Sequence, residues 1–173
     1  MSQMRRFQMD ELHRVLDETR RDRGLNWPAL AAEINKPFAG TPSIPISVGT
    51  LRDMDKKSSV TSGVVLQVLR WLGRSPESFL SGTTAAPIAE ARLPEPGPGR
   101  ILRFDTRAMH AALDAERVRR GMQWKDVAAE LPGFTASMLR NLEHGPLIGF
   151  PRAMSIPQWL KRPAADFVRI DKR

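Results

Sequence analysis

The sequence predicts an all-α protein: two tandem copies of a small four- to five-helix domain, residues 1–82 and 101–173, joined by a Pro/Gly-rich linker over 83–100. Three observations carry this reading. Apolar residues recur at three- and four-residue steps, the period of a helix with one buried face. No alternation of apolar and polar residues persists long enough to predict a strand. The first half of the chain also aligns with the second.

In the first copy, Leu12, Val15, Leu16 and Thr19 mark a first helix that ends at Gly24, a residue suited to the left-handed C-cap. Asn26 caps a second helix, Trp27–Ile34, where Pro28 is tolerated because it falls in the first turn. Ser47 caps a third, Val48–Lys57. Ser62 opens a fourth, Gly63–Leu72, with Val64, Val65, Val68, Leu69 and Leu72 on its apolar side. Ser75-Pro76-Glu77 begins a last short turn of helix. The second copy repeats the order, with Thr135 as the third-helix cap and Pro157 delaying or kinking the fourth helix.

The repeat is explicit. Residues 7–34 over 104–131, an offset of 97, give 11 identities in 28 positions, among them His13/His110, Asp17/Asp114, Arg20/Arg117, Arg23/Arg120, Trp27/Trp124 and Glu33/Glu130. The match resumes at an offset of 88, placing Ser47–Asp55 over Thr135–Glu143, Trp71 over Trp159 and Phe79 over Phe167. The first copy carries an insertion, 35–45, where the second has a short turn at Pro132 and Gly133. It reads as a surface loop or as an arm reaching a ligand. Between the copies, Pro87, Pro94, Pro96 and Pro98 predict an extended tether.

Composition narrows the function. The chain has 27 Lys and Arg against 19 Asp and Glu, a net charge of +8, with both copies basic. Such a balance points to a polyanionic partner, nucleic acid or an acidic protein surface. Cysteine is absent, which excludes a disulfide framework, thiolate catalysis and cysteine-ligated zinc. No apolar run approaches the length of a membrane span, and the N-terminus has no secretory pattern, so the expected location is cytoplasmic and nucleoid-associated. No phosphate loop, dinucleotide fingerprint or metal-ligand spacing occurs. An enzyme is therefore not expected, nor is a cofactor or a metal. The Trp residues suit base stacking in principle, but their repeat-equivalent positions beside apolar neighbours predict packing instead.

Helices two and three form the informative pair. Ala128 is small where they would cross, and Gly133 sits in the turn. Phe134, Leu139 and Leu142 face inward, leaving Ala136, Ser137, Arg140 and Asn141 outward. Two short helices joined through a tight glycine turn make a helix-turn-helix. The string RGMQWKDVAAELPGFTASMLRNLEHG, residues 120–145, resembles the phage repressor/Cro-type (lambda-repressor-like) helix-turn-helix family, including its closing Leu-Glu-x-Gly. RGLNWPALAAEI, ISVGTLRDMDKK and RWLGRSPESFL match in the first copy, although Trp27 and Trp124 stand where the family usually has Gln.

The resemblance implies a bacterial or phage transcription regulator that binds double-stranded DNA by sequence, its two tandem units addressing an asymmetric bipartite site. It also implies structural ion pairs of Arg20 with Asp55 and of Arg117 with Glu143. Arg52 and Arg140 suit guanine, and Asn141 suits adenine. Ser47, Val48, Gly49, Thr50, Thr135, Ala136 and Ser137 complete the recognition surfaces, while Lys56, Lys57, Lys125, Asn26 and Gln123 suit phosphates. A second copy of the chain or a regulatory protein is the other expected partner. The alternative function is a protein-interaction module, anti-activator or antitoxin-like, built on the same motif.

Overall fold

The computed structural model describes residues 4–39, 45–82, 90–144 and 149–172. The linker residues 83–89 and the insertion residues 40–44 lie outside the described residues. The first unit contains α1 (Met9–Asp22), α2 (Trp27–Asn35), α3 (Val48–Arg52) and α4 (Ser62–Leu72). The second contains α5 (Thr106–Arg119), α6 (Trp124–Glu130), α7 (Ala136–Arg140) and α8 (Ser155–Leu160).

Local chemistry accounts for the boundaries. Asn26 Oδ1 accepts from the Ala29 amide at 2.8 Å and starts α2. The hydroxyls of Ser47 and Thr135 accept from the Thr50 and Met138 amides at 3.1 Å and start α3 and α7. Each side chain satisfies one of the amides that a helix start leaves open. The third helix is shorter than the 48–57 expected: α3 stops at Arg52 and tightens into a 3-10 turn at Met54–Lys56. α8 begins at Ser155, so Pro157 falls within its first turn, where its missing amide costs no hydrogen bond.

The all-α expectation is corrected. Among the described residues the protein is about 60% helical with 10% strand, in two small antiparallel sheets. One joins β2 (Arg100–Phe104) to β4 (Val168–Lys172), the beginning of the second unit to its end. The first unit closes in the same way with one bridge, Phe7 to Leu80, the repeat equivalents of the Phe104–Val168 pair. The other sheet pairs β1 (Val60–Thr61) with β3 (Gly149–Phe150), one strand from each unit.

The register of that second sheet is informative. Thr61 faces Gly149, and the two are separated by 88, the offset of the repeat itself. Equivalent residues facing one another in an antiparallel pair is what a twofold axis through the pair generates. The units are thus related as the halves of a symmetric dimer, fused into one chain. The close approach requires glycine on one side. A Cβ at Gly149 would lie 3.0 Å from the Val60 carbonyl oxygen and would collide with the Ser59 hydroxyl.

Both units feed one hydrophobic core. Phe150 is fully buried, packing edge-on to Phe7 at 4.8 Å and stacking on Phe104 at 5.8 Å. Its repeat equivalent is the small, buried Ser62, which fits one large ring beside the axis instead of two. Buried and half-buried polar groups also tie the units to one another and to the linker. Gln67 on α4 donates to the Leu102 carbonyl of β2 at 2.9 Å. Gln158 on α8 exchanges two bonds of 2.9 Å with the backbone of Arg5. Glu77 accepts from the Ala164 amide at 3.0 Å and from the Ala91 amide at 3.3 Å.

The tether is docked in its described part. Arg70 pairs with Glu95 at 3.4 Å, Ser75 donates to Glu90, Pro96 is buried, and the Gly99 amide donates to the Pro37 carbonyl. Asn35, at the base of the insertion, exchanges two bonds of 2.9 Å with the Ile46 backbone.

Two outcomes follow from the shared core. Phe150→Ala should cost about 3–5 kcal/mol, the usual price of emptying a buried aromatic site. Urea unfolding followed by circular dichroism measures it, and a loss under about 1 kcal/mol would contradict the placement. Glu77 gives a pH test. Burial raises its carboxyl above the ordinary value, against the lowering pull of the Ala164 and Ala91 amides. The native state then holds the proton longer than the unfolded chain, so this contribution to stability falls as pH rises. The Tm of Glu77→Gln relative to the parent should therefore climb as pH rises above 4.5, the ordinary value of the carboxyl. A constant or falling difference would contradict it.

Candidate nucleic-acid interface

The residues shared by the two units assemble into three repeated clusters, each an arginine laid over an aromatic ring. Arg20 lies 4.7 Å from the Trp27 ring and Arg117 lies 4.9 Å from Trp124. Arg23 covers Trp71 at 5.0 Å, as Arg120 covers Trp159 at 4.5 Å. Arg74 covers Phe79 at 4.9 Å, as Arg162 covers Phe167 at 4.7 Å. Each such contact contributes on the order of 0.5–2 kcal/mol. Acids and histidines complete them. His13 stacks on Trp27 and His110 on Trp124, at 5.8 and 5.4 Å. The indoles of Trp71 and Trp159 donate to Glu33 and Glu130 at 3.3 and 3.0 Å.

The expected ion pairs are corrected here. Arg20 pairs with Asp17 at 2.8 Å and donates to the Leu25 carbonyl, also at 2.8 Å. Arg117 likewise pairs with Asp114 at 2.6 Å and donates to the Met122 carbonyl at 3.0 Å. Each guanidinium ties the end of its own helix to the following turn, one helical turn from its acid. The Arg20 hydrogen bond holds the Asp17 carboxyl below its ordinary value. Asp55 faces His13 instead, at 3.7 Å, and Glu143 faces His144 at 3.5 Å. His13 also contacts the Arg52 carbonyl at 2.7 Å, fixing the end of α3 to α1.

These clusters support an open cleft in the second unit. Gln123, Lys125, Ala136 and Arg140, all expected at a recognition surface, line it together with Arg117 and Trp124; its volume is about 430 Å3. The α6 start is held by Asp126, which accepts from the Gln123 amide at 2.9 Å. Gly133, at φ 87°, makes the turn that brings α7 against α6. Thr135, Ser137, Arg140 and Asn141 are exposed on α7, while Leu139 is fully buried. Asn141 spends its amide on the Ser137 carbonyl at 3.0 Å, within its own helix. Lys125 and Arg140 have no acidic partner among the described residues.

The first unit carries a different charge pattern. Ser47 and Arg52 are exposed, and Val48, Gly49 and Thr50 are partly so. Asp53 accepts an ion pair from Arg52 at 3.2 Å and another from Lys56 at 3.7 Å. The Arg52 hydrogen bond in turn holds the Asp53 carboxyl below the usual range. The second unit has Asn141 at this position. Lys57 is exposed and without an acidic partner among the described residues.

The sequence reading missed the ring-stacked arginines. Their signal was present: the identities concentrate on Arg, Trp, His and acids, residue types that a merely packed helix pair has no need to share. Among the described residues no helix is long and apolar enough to cross a membrane. Compared with family models, with curated proteins and with solved structures, the chain finds no match.

Proposed function

We propose that this chain binds double-stranded DNA through its two helix-turn-helix units, with the second unit as the principal reader. The observation that carries the reading is the second-unit cleft, where Lys125 and Arg140 project beside α6 and α7 without an acidic partner among the described residues. Arg140 suits a guanine edge, and Lys125, on the first turn of α6, suits a phosphate. The first unit serves as the weaker half because Asp53 holds Arg52 and Lys56 in ion pairs, which must break before either cation meets a base or a phosphate. Asp53 is also the observation that favours the alternative, a protein-interaction module, since its ion pairs leave α3 of the first unit less free to meet DNA.

Anisotropy titration of a labelled duplex over a salt series tests the proposal. The log–log slope should be about −0.9 per phosphate contacted. Arg140→Ala should cost about 1–3 kcal/mol on the best site and relax preference at one base pair. Lys125→Ala should weaken all sequences evenly and flatten the slope by about 0.9. Arg52→Ala should cost less than Arg140→Ala. A flat salt response, or no binding at low salt, would remove DNA and favour the protein partner.

A further inference from the structure

A second cavity lies away from the recognition surface, where the first unit's N-terminal segment meets the helix-turn-helix turn of the second. Its volume is about 380 Å3, within the range of small-molecule sites. Phe7, Pro132 and Pro151 give it a predominantly apolar wall. Three arginines, Arg5, Arg6 and Arg152, line it as well, and none has an acidic partner among the described residues.

The three arginines differ in what holds them. Arg5 donates to the carbonyls of Ser81 and Gly82. Arg152 donates to the Gly133 carbonyl at 3.1 Å and lies 5.3 Å from the Phe134 ring. Its Nε is buried and meets no acceptor. Arg6 is exposed and is anchored through its backbone to Ser81, leaving its guanidinium uncommitted. The Arg6 side chain at the cavity's edge is thus a cation free to meet an anionic group.

We propose that this cavity is a binding site for a small amphipathic anion, an apolar body carrying one carboxylate or phosphate group. The apolar wall would take the body. The Arg6 guanidinium would take the anionic end, with Arg5 and Arg152 adding to the local positive field. Neither an uncharged apolar molecule nor a bare anion satisfies both halves of this lining.

Isothermal titration of the full chain tests the proposal, with phenylbutyrate and phenyl phosphate as probes and phenylbutanol and inorganic phosphate as controls. At least one amphipathic anion should saturate at one per chain and bind at least about tenfold tighter than either control. The stronger of the two anions identifies the headgroup as carboxylate or phosphate. Arg6→Ala should weaken it at least about tenfold, and Arg152→Gln by less. Arg6→Ala should leave Tm unchanged, since only the Arg6 backbone holds structure. Absence of saturable binding by both anions at millimolar concentration would overturn the assignment. So would equal binding of phenylbutanol, which would make the cavity a merely apolar surface, or undiminished binding in Arg6→Ala.

Discussion

The pairing of Thr61 with Gly149 is the constraint on which the rest of the molecule depends. It brings equivalent points of the two repeats face to face, close to α3 in the first unit and to α8 in the second. α3 runs through a 3-10 turn into β1, and β3 runs through another into α8. Whatever orientation α3 and α7 have toward a ligand is therefore set from the axis outward. A chain with two independent beads on a tether would have to find that geometry on binding and lose entropy doing so. A fused pair already holds it.

Fusion also permits asymmetry, and the molecule uses it at three places. Phe150 fills space beside the axis that Ser62 leaves open. Gly149 leaves room for the Val60 carbonyl and the Ser59 hydroxyl, where its repeat equivalent is Thr61. Asp53 holds Arg52 and Lys56 in ion pairs after α3, where the uncharged Asn141 follows α7. An identical-subunit dimer must carry each of these changes twice, so two Phe150 rings would compete for one volume. The arginine–aromatic clusters show the opposite behaviour: they recur in both units with nearly the same distances. They brace each unit separately, and neither depends on the axis.

Much of the helical plan was legible in the sequence, for local reasons. Caps such as Asn26, Ser47 and Thr135 act within four residues, and apolar spacing declares each buried face. The strands were not legible because their pairing is not local. Arg100–Phe104 pairs with Val168–Lys172, with the whole second unit lying between. No hairpin turn announces it, and the burial pattern of Arg100–Phe104 does not alternate. The outward residues of α3 and α7 were legible as surface positions, but their charge balance depends on which acid each cation meets. The same limit misplaced the ion pairs: Asp17 and Asp114 lie one helical turn from Arg20 and Arg117, and this nearer partner prevails over Asp55 and Glu143.

Native-state hydrogen exchange across a urea series tests the fused body most directly, since it reports opening free energies element by element. With one core and one axis, the slowest amides of α1 and α4 and those of α5 and α8 should converge on a single opening free energy and a single urea dependence. If one unit's amides exchange through an opening that leaves the other unit protected, the two repeats are separate domains, and the account built on their pairing fails.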